Sequence, residues 1–222
     1  MGLALALAAS AQVERLAKDV HYDVELSAQA SNGDQAPFWF VAGRYGLSSA
    51  KPSSGYLRAA VGRDIAADSL RNWQIGYGLD VAGGVDMPAS FFINQFYGDF
   101  QYKAVRLSVG AKRRVDELTN PLLSTGGLAE GVNAPAVPQV RLELPDFWDI
   151  PGTHHWLAIK GHLAYGAFTD GGWKADHHAA GASYTKGVLY HSKAGYLRVG
   201  NDEKFPLTFA GGLQMKIGRA HV

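Results

Sequence analysis

The sequence predicts an all-β fold, an antiparallel transmembrane β-barrel, and the odd count of about nine strands suits a truncated portion of a larger barrel better than a complete one. Three observations carry that expectation. Apolar and polar residues alternate with period two in successive segments of about ten residues, as half-wetted strands require. The long connections, residues 31–54, 113–137 and 169–185, all fall at one end of the strands and the tight ones at the other. Outer-membrane barrels sort their loops in this way, whereas a soluble sandwich has less reason to. Finally, 27 Gly, 11% aromatics and 18% charged residues, with no long apolar run beyond the N-terminus, favour many short strands over membrane helices.

The first strand, Val20–Ala30, shows the cleanest alternation: Tyr22, Val24, Leu26 and Ala28 against His21, Asp23, Glu25 and Ser27. Segment 31–54 then breaks period. It holds Asn32-Gly33-Asp34, the aromatic group Phe38-Trp39-Phe40 and Arg44-Tyr45-Gly46, and reads as a long loop or an inward-folding plug. Strand two spans 55–63. Strand three spans 73–82, with Trp73, Ile75, Tyr77, Leu79 and Val81 on one face. Its other face carries Gly76, Gly78 and Asp80, where the glycines leave room for side chains crossing an interior. Strands four and five, 90–102 and 104–112, meet in a tight turn at Lys103. Strand six spans 138–144, a connection passes through Trp148 and Pro151, and strand seven spans 155–167.

Strands eight and nine form a hairpin over 184–209 with a polar turn at 201–206. In strand eight Leu189, His191 and Lys193 share the parity of Leu197, so a bulge near 192–194, or a strand leaving the apolar layer before His191, is expected. Across all strands, Val24, Leu26, Ile75, Leu79, Leu107, Val109, Ile159 and Leu163 are expected to face lipid. Asp80, Arg106, Lys160 and His162 are expected to face the interior.

Four stretches carry a resemblance: YDVELSAQASNGDQAPFWFVAGRYGLSS, NPLLSTGG, WLAIKGHLAYGAFTDGGW and YTKGVLYHSKAGYLRVGNDEKFPLTFAGGL. Together, and in this order, they resemble segments of the capsule-assembly Wzi family of Bacteroidota-type outer membranes, across roughly residues 22–215. The resemblance implies a large barrel, longer than this chain, that helps hold capsular polysaccharide at the cell surface. It also implies that 12–216 is the N-terminal part of such a barrel, with polysaccharide and outer-membrane lipid as partners and the outer membrane as location.

The two ends read differently from the body. Residues 1–11, MGLALALAASA, have the apolar run and small-residue cleavage site of a secretory signal. No Lys or Arg precedes the run, so the signal reads as incomplete at its N-terminus. Residues 217–222 read as a non-native tail. The net charge of +1 makes no electrostatic case for nucleic acid, and the absence of Cys removes thiolate–zinc and disulfide frameworks.

Candidate chemistry is sparse. His154-His155 and Asp176-His177-His178 lack ligand spacing and read as solvated loop histidines, so no metal or other cofactor is expected. Ser192 beside His191 has no nucleophile elbow and no assignable orienting partner, so no catalytic residue is expected. The cluster that suggests a ligand lies on the long connections: Trp39, Arg44, Tyr45, Arg113, Arg114, Trp173, Lys174 and Lys186, with His177 nearby. Aromatic faces stack on sugar rings and Arg or Lys pairs with acidic substituents. The same residues also suit an interfacial aromatic belt and lipid headgroups.

The expected function is therefore non-catalytic binding of capsular or extracellular polysaccharide by an outer-membrane barrel. Two other classes fit the alternation: an outer-membrane porin or transporter for small solutes, and a soluble exported carbohydrate-binding β-domain.

Overall fold

The computed structural model describes residues 16–114, 132–169, 187–201 and 203–219, and these build one antiparallel sheet of nine strands in which each strand pairs with its neighbours in the chain. The strands are β1 (Val20–Ala30), β2 (Ser53–Arg63), β3 (Trp73–Val85), β4 (Phe91–Tyr102), β5 (Val105–Ala111), β6 (Pro138–Asp149), β7 (Leu157–Ala167), β8 (Leu189–Val199) and β9 (Phe209–Arg219). This meander places the connections 31–52, 112–137 and 168–188 at one end of the sheet, together with the shorter 86–90. The opposite end holds 64–72, 150–156, 200–208 and the two-residue turn at Lys103, whose φ of 52° lets Tyr102 pair directly with Val105. A single helical turn, Phe38–Val41, interrupts the first long connection.

The two faces of the sheet have inverted polarity. Val24, Leu26, Leu79, Leu107, Val109, Leu163 and Leu197 stand exposed on one face, Leu26 at 81%. Asp80, Asp99, Ser108, Arg141, His162 and Ser192 lie on the other, each 4% exposed or less. The same alternation runs along β5, β7 and β8, with the buried positions on the polar face. Gly78 shows how that face is filled. A Cβ there would sit 2.6 Å from the Tyr97 ring, so the missing side chain is what admits the aromatic from the neighbouring strand.

Two irregularities re-aim side chains. Between β3 and β4 the register shifts at Asp80/Val81, so Asp80 opposes Gln95 while Val81 opposes Ile93. The extra residue, Asn94, turns inward beside Gln95. Their amides both reach Asp80 Oδ2, at 3.2 and 3.4 Å. A bulge that directs two consecutive side chains to one carboxylate is a local means of solvating a buried charge. Arg58 completes the arrangement, donating from Nε to both Asp80 oxygens at 2.9 and 3.0 Å and pairing with Asp23 and Glu25 of β1. The second shift, between Leu144 and Trp148, falls at Pro145, which has no N–H to give to a ladder.

Three expectations need correction. Strand six does not end at residue 144: it passes through the Pro145 irregularity to Asp149, and Trp148 lies within it, opposite Ile159. Strand seven begins at Leu157, two residues later than expected. No bulge occurs at 192–194, because β7 and β8 pair without a break from Leu157↔Val199 to Ala167↔Leu189. His191 and Lys193 therefore stay on the outward face. His191 stacks on Tyr165, with ring centroids 4.3 Å apart and 8° between planes, and Lys193 is exposed there, its long stem able to lie along apolar neighbours. At the other end of the chain, β9 continues to Arg219, with Ile217 on the outward parity of Leu213 and Met215.

Removing the Asp80 carboxylate strands Arg58 and two inward amides, so Asp80→Ala is expected to cost about 3–5 kcal/mol, the scale for breaking a buried pair. Asp23→Asn, at the half-exposed rim of the same network, should cost no more than about 1 kcal/mol. Denaturant titrations followed by tryptophan fluorescence measure both; similar losses for the two variants would contradict the central role given to Asp80.

Candidate functional site

The site begins where β5 ends. Gly110 takes a φ of +112°, and a Cβ on it would lie 2.1 Å from the Phe96 carbonyl oxygen, so only glycine brings the chain this close to β4. Past Ala111, residues 112–114 leave the ladder over the polar face. The Arg113 N–H donates to Gln95 Oε1 at 2.8 Å, and Arg113 Nη2 lies 3.8 Å from Asp80 Oδ2. The bulge that solvates Asp80 thus also anchors Arg113. Its guanidinium carbon stands 4.7 Å from the centre of the Tyr45 ring, a cation–π distance.

Tyr45 reaches this position because the first long connection folds inward. Its φ is 51°, its N–H donates to the Val132 carbonyl at 2.8 Å, and the neighbouring Gly43 N–H donates to Asn133 Oδ1. Leu47 is buried against Tyr56 and Ala82, with Met87 and Phe92 around them. The first long connection, expected as a long loop or an inward-folding plug, thus brings Tyr45 and Leu47 onto the polar face at the long-connection end.

Lys112, Arg113, Arg114, Gln139, Tyr190 and Lys216 line a cavity of about 300 Å³, with Tyr45 on its wall. Lys112 pairs with Asp99, which also accepts a hydrogen bond from Ser108 Oγ at 2.6 Å. Arg114 Nη1 donates to the Lys112 carbonyl at 3.2 Å. Burial pulls the Arg113 guanidinium below the usual arginine range, and Asp80 pulls it back up. Among the described residues, Arg113 Nε and Gln139 Oε1 are buried with no hydrogen-bond partner, and both side chains line the cavity. Such a pair suits a ligand carrying an anionic oxygen and a hydroxyl.

The residues singled out from sequence are only partly brought together. Tyr45, Arg113 and Arg114 share the cavity wall. Arg44 points elsewhere: its Nε donates to the Phe40 carbonyl at 3.4 Å, and it borders a separate hollow with Gln29, Tyr56 and Met87. Trp39 is 71% exposed and meets Phe40 edge-on at 6.3 Å, apart from both hollows. Trp173, Lys174, His177 and Lys186 lie outside the described residues. Sequence reading missed Lys112, Gln139, Tyr190 and Lys216. The signal was available for three of them, since Gln139, Tyr190 and Lys216 occupy inward parity near the long-connection ends of β6, β8 and β9.

His162 and His155 each make a local polar contact. His162 shares a 2.7 Å hydrogen bond with Ser192 across β7 and β8, and Ser192 is wholly buried. At the short-connection end, His155 Nδ1 lies 2.8 Å from Asp149 Oδ2, and Arg198 approaches the same carboxylate at 3.3 Å. By accepting that hydrogen bond, the Asp149 carboxylate raises the His155 pKa.

Comparison with protein-family models, with curated proteins and with solved structures gives no match.

The His155 pair defines a pH window. Because its folded pKa is raised, its contribution is fully present below the ordinary histidine pKa of about 6.5 and is lost as pH rises through the raised value. An NMR titration of the His155 ring should give a pKa above that ordinary value, and Asp149→Asn should return it there; an unchanged titration in the variant would sink the assignment.

Proposed function

We propose that this chain forms part of the wall of an outer-membrane β-barrel that binds acidic capsular or other extracellular polysaccharide at the cell surface without chemically altering it. One observation carries the membrane part: the inverted polarity of the sheet, apolar outward and charged within. In water such a surface is an association hazard, whereas hydrocarbon rewards it and requires the backbone to be paired, as in a barrel wall. Loop sorting supports an orientation with the long connections outside, because barrels of this kind keep short turns on the periplasmic side.

The polymer part rests on the resemblance to the capsule-assembly family and on the chemistry at the long-connection end. Tyr45, with Trp39 and Trp173 on the same connections, supplies stacking faces. Arg113, Arg114, Arg44 and Lys186 supply charge, and Gln139 accepts from a sugar hydroxyl. Single rim contacts of this sort contribute roughly 0–1 kcal/mol. Retention of a long polymer then comes from many weak sites on many barrels acting together.

The test is surface retention in cells carrying the full-length gene. Arg113→Gln alone should change cell-bound polymer little, whereas Arg44, Arg113, Arg114 and Lys186 all changed to Gln should shed polymer into the medium, more so at high salt, with synthesis and barrel assembly intact. Unchanged retention in a full deletion, accompanied by lost uptake of a small solute, would replace this reading with a transporter.

A further inference from the structure

The wall of the sheet has a notch beside the site. β4 runs from Phe91, but β5 reaches only to Ala111, opposite Phe96, so residues 91–95, which pair with β3 except for the bulged Asn94, have no ladder partner on their other side among the described residues. The gap is bridged by one side chain, Gln95, which accepts the Arg113 N–H. A mainly apolar cavity of about 560 Å³ occupies the notch and is lined from both faces of the sheet. Phe91, Ile93 and Phe96 come from the outward face, Leu47 and Phe92 from the polar one.

This cavity adjoins the cationic one, since Tyr45, Pro135 and Ala136 form part of the wall of both. Each lies near or within the size range of ordinary ligand sites, roughly 300–1,000 Å³. One is apolar and has outward-face side chains in its lining. The other is lined by Lys112, Arg113, Arg114 and Lys216 and by Gln139, a side chain only 8% exposed.

We propose that the two cavities form one bipartite site for an acylated sugar acid, whose acyl chain enters laterally through the β4–β5 notch while its acidic, hydroxylated head is held at Arg113 and Gln139. The charge and hydrogen-bonding needs of the head cavity select the head. The apolar lining, continuous with the outward face, selects the chain and supplies its route from a bilayer. The inference rests on the polysaccharide reading and makes it more specific, because a polymer bearing a lipid at one end would be gripped by that end as well as along its length.

The probe is dodecyl glucuronide, titrated against the whole chain in lipid nanodiscs and read by native mass spectrometry. Methyl glucuronide, which has the head without the chain, and dodecyl maltoside, which has the chain with a neutral head, serve as comparators. Dodecyl glucuronide should bind at least tenfold more tightly than either. Ala89→Trp, which fills the apolar cavity from the 86–90 turn, should weaken dodecyl glucuronide tenfold or more and leave methyl glucuronide unchanged. Arg113→Gln should weaken both glucuronides and leave dodecyl maltoside unchanged. Equal affinity for the two glucuronides, or indifference to Ala89→Trp, overturns the bipartite site while leaving the glycan reading standing. Chain-dependent binding with no preference for the acidic head overturns the head assignment and counts against the glycan reading instead.

Discussion

A carboxylate buried in a single-layer sheet is the constraint around which much else is arranged. Asp80 is 2% exposed, and an ion so placed is tolerated only when paired and fully hydrogen-bonded. The chain meets that requirement with Arg58 from β2, with two amides brought inward by one bulge in β4, and with Arg113 beyond β5. Arg58 extends the network to Asp23 and Glu25 on β1, and Arg113 extends it to Tyr45 in the inward-folded connection. Sheet, first long connection and cavity therefore share one electrostatic centre. The candidate site sits where it does because the group that solvates Asp80 is also the group that faces the cavity.

The same logic, repeated along the sheet, gives the polar face its character. Asp99 is held by Ser108 and Lys112, Glu143 by Arg141 and Arg106, and His162 by Ser192. Such contacts lie between neighbouring strands or within one, so each strand brings partners for the next. Among the described residues the outward face has no comparable network and is dominated by aliphatic and aromatic side chains. A domain that hid its apolar residues would show the reverse. β1 and β9 each have a single strand neighbour, and unpaired edges of this length need a partner wherever water is excluded.

Much of the fold was legible because period-two alternation is a local property. Val20–Ala30 is bounded as read, the Lys103 turn joins β4 to β5, and Val24, Leu26, Leu79, Leu107, Val109 and Leu163 fall on the exposed face with Asp80 and His162 on the buried one. What escaped reading depends on neighbours distant in sequence. Asn94 and Gln95 look like an ordinary alternating pair until the β3 register turns both inward. Pro145 reads as a strand end, yet the strand resumes after a distortion. Lys193 suggests a bulge, yet the regular register keeps it on the apolar face. The binding set was legible as a set of residue types at one end of the sheet. Its geometry was not, because which loop cation meets which aromatic is decided by tertiary contacts such as Tyr45 to Val132.

The central claim is that the apolar face meets hydrocarbon, and nitroxide accessibility along β5 and β8 measures it most directly. The chain has no native cysteine, so labels at Leu107→Cys, Ser108→Cys, Val109→Cys, Ser192→Cys and Leu197→Cys report single sites in lipid vesicles. Labels at 107, 109 and 197 should collide far more with oxygen, which concentrates in the bilayer, than with a water-soluble nickel chelate. Labels at 108 and 192 should be shielded from oxygen by comparison, giving a period of two. Nickel accessibility that exceeds oxygen accessibility at 107, 109 and 197 would contradict the account.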